Sequence, residues 1–209
     1  MQNLIAQNLL EIKAVFLSPN KPFTWASGIK SPIYCDNRLT LSNVNVRKNV
    51  ENTLANLVKE NYPDCQMLMG TATAGIAHAA LVAEILNLPM GYVRSGAKKH
   101  GRTNQIEGKC EAGAKVVVIE DLISTAGSSI EAVNALRQAG AEVLGIVSIF
   151  TYNMKKSFEN LKEANITNFS ASNLDTLLEI ATKMQYINED EKIKILKFRD
   201  NPADESWLS

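Results

Sequence analysis

The chain has no surplus of charge. Its 209 residues carry 22 Lys and Arg against 22 Asp and Glu, so no global field draws it to nucleic acid or to an anionic membrane surface, and any charge-based function must be local. Cysteine is scarce. The three residues, Cys35, Cys65 and Cys110, are odd in number and stand in no CxxC or other metal-ligand spacing, which argues against a disulfide framework and predicts a reducing, cytoplasmic compartment. Only two histidines are present, His78 and His100, and no acid in the sequence recognisably orients either. A Ser-His-Asp or Cys-His nucleophile is therefore not expected, and His78, on an apolar helix, reads as packed or capping. No apolar run approaches the roughly 18 residues that a membrane helix needs. The N-terminal "MQNLIAQNLLEIKAVFL" lacks a basic leader and carries Glu11 among its apolar positions, so it predicts an amphipathic helix and not a signal peptide.

What is there is enough for one well-filled core with room for a small subdomain. The style of the sequence changes near residue 65. Before it come a helical pattern over 3–13, an irregular stretch over 23–37 and a second helical pattern over 42–62. After it, strands and helices alternate: strand 66–69, helix 76–87, strand 90–93, a polar segment 94–113, strand 115–119, helix 128–139 and strand 142–150. A later helix, a short strand at 166–170 and helix 174–184 follow, with a charged tail from Asn188. We divide the chain into residues 1–64, a core over 65–187 and a tail over 188–209. Near-continuous Val, Ile and Leu strands alternating with helices predict an α/β fold with a central, mostly parallel sheet flanked by helices. Ligands of such sheets sit outside the carboxyl ends of the strands.

At that position stands "VVVIEDLISTAGSS", residues 116–129. A buried strand ends in two acids, Glu120 and Asp121, followed by Leu122, Ile123 and a loop of hydroxyls and small residues, Ser124, Thr125, Ala126, Gly127 and Ser128, that opens a helix. Backbone N–H groups and the helix dipole favour an anion there, and the hydroxyls add donors. The acids suit the neighbouring hydroxyls of a sugar or a divalent cation. The alternative is a solvated strand end before a capped helix. A second strand-to-helix turn, "GTATAG" at 70–75, offers Thr71 and Thr73 to a second anion. A third element, "RSGAKKHGRTNQIEG" at 94–108, clusters Arg94, Lys98, Lys99, His100 and Arg102 with no acid before Glu107. It reads as a glycine-hinged basic lid, with a solvated loop or a nucleic-acid patch as alternatives. No aromatic residue among its cations would stack a base.

The 116–129 segment resembles the phosphoribosyl pyrophosphate (PRPP) motif of type I phosphoribosyltransferases and lacks the GxxxxGK[ST] of a nucleotide P-loop. That resemblance implies the type I fold with a small N-terminal hood. It also implies that Glu120 and Asp121 bind the ribose hydroxyls, that the loop over 122–128 cradles the 5-phosphate, and that 70–75 with Lys99 holds pyrophosphate. The lid, together with "FTWASGIKSPIYCDNR" at 23–38, resembles orotate phosphoribosyltransferases specifically. The resemblance then implies transfer of phosphoribose from PRPP to orotate, giving orotidine 5-monophosphate for UMP synthesis. Mg2+ would be held mainly through substrate, with Asp121 a possible ligand. The enzyme would be a homodimer in which Arg94, Lys98 and His100 of one subunit act in the other's site. Ser124, Tyr34 and Lys30 are the candidate orotate contacts. Some family members place Lys where Ala26 and Ala74 stand and Arg near Tyr152, and glycine is common where Ala126 stands. Lys30, Arg38 and the hood backbone are candidate replacements for the missing cations. A purine phosphoribosyltransferase and a non-enzymatic PRPP-sensing regulator on the same fold remain alternatives. Neither a membrane nor a nucleic-acid partner is expected.

Overall fold

The computed structural model describes residues 1–24, 28–96 and 105–208. In chain order these form α1 (Gln2–Glu11), β1 (Val15–Leu17), β2 (Phe23–Thr24), β3 (Lys30–Ser31), β4 (Ile33–Cys35), a 3-10 turn (Asn37–Ser42) and α2 (Val44–Asn61). Next come β5 (Met67–Thr71), α3 (Ala74–Leu86), β6 (Met90–Val93), β7 (Ile106–Glu107), β8 (Lys115–Ile123), α4 (Gly127–Gln138) and β9 (Glu142–Thr151). The last elements are α5 (Lys155–Glu163), β10 (Asn168–Asn173), α6 (Leu174–Lys183), α7 (Glu189–Asp200) and a second 3-10 turn (Glu205–Leu208).

Six strands make one sheet in the order β10-β9-β8-β5-β6-β7, parallel throughout except for β7, which runs antiparallel to β6. β5 is buried along its whole length, as a central strand covered on both faces must be. Alternate residues serve the two faces. Leu68, Val117 and Ile119 join a core with Ile5 and Leu9 of α1, Val50 and Leu54 of α2 and Leu177 of α6. Met67, Met69, Val116 and Val118 meet Ala132, Val133 and Leu136 of α4 and Leu161 of α5. The chain begins the sheet at β5, adds β6 on one side, and then returns to lay β8, β9 and β10 on the other. The reversal falls between β5 and β8, and open α/β sheets bind ligands at such a switch point.

Several boundaries differ from the sequence expectation, each for a tertiary reason. β8 continues past Ile119 to Ile123 because β9 runs beside it, pairing Leu122 with Phe150 and Ile123 with Thr151. Glu120 and Asp121 are therefore strand residues, and the loop shrinks to 124–126. Within the segment read as polar, β7 pairs Tyr92 with Glu107 and Val93 with Ile106. Residues 1–64 look like an appendage in sequence, yet α1 and α2 supply side chains to the main core. Among the described residues, only the short antiparallel pairs β1–β4 and β2–β3 stand apart from the large sheet. The charged tail forms α7, started by a reciprocal Asn188–Glu191 capping box. Ile195 and Phe198 are buried, and the Trp207 ring packs edge-on against Phe198.

His78 is packed within α3 with no exposed surface, and neither ring nitrogen has a hydrogen-bond partner among the described residues. Burial lowers its pKa from 6.5 to about 4. The unfolded chain takes up this proton near the ordinary histidine pKa and the folded chain only near the lower value. Stability is thus lost as pH falls between them, by at most about 3 kcal/mol. His78→Leu should remove that loss, so its advantage over the parent in urea unfolding should widen from pH 7 to pH 4.5. A pH-independent difference would contradict the assignment.

Candidate active site

Two strand-to-helix turns lie side by side at the switch point, because β5 and β8 are hydrogen-bonded neighbours with Gly70 opposite Ile119. The first turn, after Thr71, leads into α3. The approach is close enough to demand glycine twice. A Cβ at Gly70 would sit 2.8 Å from the Gly75 carbonyl oxygen, and one at Gly75 would sit 2.5 Å from both the Ile119 carbonyl oxygen and the Thr71 hydroxyl. Thr73 is exposed at the helix start and α3 has no side-chain cap, so its first N–H groups are open to an anion. The second turn leads into α4, which also lacks a side-chain cap, with Thr125, Gly127 and Ser128 exposed. By contrast Asn43, Asn173 and Asn188 cap α2, α6 and α7.

Ala126 takes a left-handed conformation (φ 67°) at the α4 N-cap and is nearly buried, a geometry that favours glycine. Asn160 of α5 holds this loop from outside, its Nδ2 donating to the Thr125 carbonyl at 2.8 Å. The Ser124 hydroxyl lies 3.8 Å from the Met154 sulfur and is otherwise available.

The two acids start on opposite faces of β8, yet their carboxyls meet in a side-chain hydrogen bond. Glu120 turns inward and is 5% exposed. Its Oε1 accepts from the Thr71 hydroxyl at 2.6 Å and from the Asp121 N–H at 2.9 Å, and its Oε2 accepts from the Ser129 hydroxyl at 2.9 Å. The hydroxyls of Thr71 and Ser129 are engaged by the same bonds. Asp121 faces the N-terminal segment. Burial first, and then the Glu120 carboxylate beside it, push its carboxyl up to about 7. Its backbone carbonyl accepts from Asn37 Nδ2 at 2.7 Å, and Asn37, itself wholly buried, also accepts from the Cys35 thiol. Nothing in the spacing of the sequence singled out Asn37 or Asn160.

Tyr34 is 43% exposed and stacks at a tilt on Phe23; Lys30 is exposed on β3. Tyr152 is buried, and burial, with Cys35, Asp121 and Tyr34 nearby, drives its phenol well above the ordinary range. Burial does the same to the Cys35 thiol, so this cysteine stays protonated and is no nucleophile. Arg38 is occupied by Asp36, with Nε to Oδ1 at 2.6 Å. Arg94 Nη1 meets Glu107 Oε1 at 3.0 Å across the β6–β7 pair. Trp25, Ala26, Lys98, Lys99, His100 and Arg102 lie outside the described residues. No group of three or more His, Cys, Asp or Glu side chains gathers as a metal cage among the described residues; the Asp121 carboxyl is itself hydrogen-bonded to Glu120 and to nearby backbone N–H groups. A separate cleft of about 520 Å3 runs beside β10, but Lys162 is its only charged lining residue among the described residues, so it suits polyphosphate poorly.

Residues 41–176 match the model of the phosphoribosyl transferase domain. Over 209 residues, all of this chain and all of the relative, the sequence is 57% identical to a Bacillus cytotoxicus protein named orotate phosphoribosyltransferase. Among solved structures, the orotate phosphoribosyltransferase of Aeropyrum pernix superposes with a TM-score of 0.77 at 28% identity, covering 88% of this chain and 99% of that one. Leishmania donovani UMP synthase superposes with a TM-score of 0.81 at 26% identity over 95% of this chain, which spans 42% of that longer protein. Two uncapped helix starts at a topological switch point, the matching domain and a full-length relative agree: the chain belongs to the phosphoribosyltransferases of type I fold and, within them, to the orotate phosphoribosyltransferase family.

Proposed function

We propose that this chain transfers the 5-phosphoribosyl group of PRPP to N1 of orotate, giving orotidine 5-monophosphate and pyrophosphate in pyrimidine synthesis. The observation that carries the reading is the full-length 57% identity to a protein of that name, on a fold that sets two anion-binding turns against each other. As the anomeric C–O bond of PRPP breaks, positive charge grows on the ribose ring and negative charge on pyrophosphate. Catalysis is then mainly positioning and electrostatics, with no covalent enzyme intermediate. In this reading Ser124, Thr125, Gly127 and Ser128 hold the 5-phosphate against the start of α4. Thr73 and the start of α3 hold pyrophosphate, and Asp121 accepts hydrogen bonds from the ribose hydroxyls. Orotate lies towards Ser124, Tyr34 and Lys30.

A magnesium ion fits this donor set, since Mg2+ commonly rests on one or two carboxylates plus substrate oxygens, and Asp121 is the carboxylate we assign to it. When bound, it neutralises part of the polyphosphate charge. We assign Lys98, His100 and Lys99 to the departing pyrophosphate, with Arg94 at the base of that segment. Lys98→Ala should lower kcat by about a hundredfold with a smaller change in KM, because the charge it meets develops in the transition state; an unchanged kcat with a raised KM would contradict the role.

We further assign these cations to the neighbouring subunit of a homodimer. Mixing Asp121→Ala and Lys98→Ala chains under subunit exchange should restore about a quarter of all sites in a random mixture. Activity at the mean of the parents, with hybrids confirmed by mass spectrometry, would place the lid in cis. No helix among the described residues is long and apolar enough to cross a membrane, which agrees with a cytoplasmic enzyme. The reaction itself is tested by orotate absorbance with Mg2+ and PRPP, with adenine, hypoxanthine and uracil as parallel acceptors. Turnover of a purine without turnover of orotate would overturn the reading.

A further inference from the structure

We infer that Asn37 is a positioning residue for the acceptor base: its buried amide latches the N-terminal hood, residues 15–43, to the carboxyl end of β8 and so fixes how far Tyr34 stands from the phosphate turn. The inference rests on the reading of the chain as a transferase that uses PRPP and orotate. The hood is knitted within itself. β1 pairs with β4, the Asp36 N–H donates to the Ala14 carbonyl at 2.8 Å, and the Ser31 hydroxyl donates to the Ile33 carbonyl at 2.7 Å. Its link to the large sheet is narrower. Among the described residues, the bond from Asn37 Nδ2 to the Asp121 carbonyl, at 2.7 Å, is the one hydrogen bond that joins residues 15–43 to β8.

That bond stands where the sheet leaves a gap. β9 accompanies β8 to Ile123, but β5 leaves it once Gly70 has paired with Ile119, so the last residues of β8 have one edge without a strand. A carbonyl on such an edge needs a donor from elsewhere, and the Asn37 amide supplies it. The other end of the amide is used too. Its Oδ1 accepts from the Cys35 thiol at 3.3 Å, which ties the latch back to β4 one residue after Tyr34. The Asn37 carbonyl accepts from the Thr40 hydroxyl at 2.6 Å, and neither Asn37 nor Thr40 has exposed surface, so main chain and side chain are fixed together. An amide alone among side chains of this size donates and accepts at once in this way; leucine offers no donor and an ionised aspartate only acceptors. The phosphate turn has its own support in Asn160. Without the latch that turn keeps its place while the hood shifts, and the cost should fall on the base.

A split between the two substrates tests this role. Asn37→Leu, similar in volume but without a donor, should raise KM for orotate about tenfold, the size expected for a carbonyl left without its partner, and leave KM for PRPP within about threefold of the parent. Cys35→Ala removes the bond that ties the latch to β4. It should raise KM for orotate about two- to threefold in the parent and have no further effect in Asn37→Leu, whereas Cys35→Ser keeps a donor and should match the parent. Equal rises in both KM values for Asn37→Leu would mean that Asn37 serves the strand end and not the base. A lowered melting temperature with both KM values unchanged would mean that the bond is structural only. Either result overturns the inference and leaves the functional reading standing. Should Asn37→Leu not fold, an orotate KM in Cys35→Ala equal to the parent's overturns it instead. If the parent itself turned over no orotate, the functional reading would fail first, and the inference with it.

Discussion

Gly75→Ala is expected to destabilise the protein by at least about 3 kcal/mol and to lower its melting temperature by roughly 6–12 °C. The added methyl has nowhere to go. It would meet the Ile119 carbonyl oxygen and the Thr71 hydroxyl at 2.5 Å each. The first belongs to the middle of β8 and the second is tied to Glu120, so neither can yield without disturbing the sheet. The start of α3 would lift away from β8 and widen the gap between the two turns, so residual folded protein should also bind pyrophosphate more weakly. Gly127→Ala is the control. Its Cβ meets nothing nearer than the Thr125 hydroxyl at 3.9 Å, and alanine at a helix start should leave stability unchanged or raise it by about 0.5 kcal/mol. Equal melting temperatures for the two variants in calorimetry would show that the close approach at Gly75 is not what requires glycine.

Asp121→Ala should lower kcat/KM for PRPP by a factor on the order of 100 to 10,000 while making the protein more stable above neutral pH. The activity estimate follows from losing two hydrogen bonds to a charged acceptor, each worth about 1.5–3 kcal/mol. The stability gain has the opposite cause. Burial and the Glu120 carboxylate raise the Asp121 carboxyl from 3.8 to about 7, so the folded state is favoured with this group protonated. Its contribution is fully present below the unfolded pKa and is lost as pH rises through about 7. Removing the group should raise the melting temperature at pH 8 by roughly 3–6 °C and have little effect at pH 4. Between pH 4 and pH 6.5 this trend opposes that of His78, so the parent protein should show a flattened stability profile that the two variants tilt in opposite directions. Wild-type kinetics in a folded Asp121→Ala protein would remove Asp121 from the site, and a melting temperature lowered at pH 8 would remove the burial argument.

The parallel core was legible because its strands are buried on both faces, and "VVVI" and "IVSIF" announce that in sequence. The anion-binding character of 124–128 was legible because small and hydroxyl residues between a strand and a helix have few other uses together. The partners of Glu120 were not, since its place at a strand end does not say which donors the fold will bring to it. Thr71 and Ser129 are those donors, and they come from 49 residues before and 9 residues after Glu120. The length of β8 was hidden for a similar reason, because only its pairing with β9 keeps Asp121 and Leu122 in the strand. Asn37 is an ordinary asparagine until the chain brings the Asp121 carbonyl to it across 84 positions. The helix at 189–200 has charged residues around most of its surface and was hidden by weak periodicity; Phe198 and Trp207 find their partner in each other.

The first helix of the chain packs against α6, and its Ile5 and Leu9 share a core with Leu177, Phe198 and Trp207. During synthesis, which proceeds from the N-terminus, α1 is made long before the residues that cover it. Its apolar stripe must wait on the ribosome, exposed, while about 170 further residues are added, the interval from Leu9 to Leu177. Such a chain cannot close its N-terminal part early and proceed in stages. It should remain sensitive to protease and bind chaperones as a nascent chain until α6 and the segment through Trp207 have emerged, and then fold in one late step.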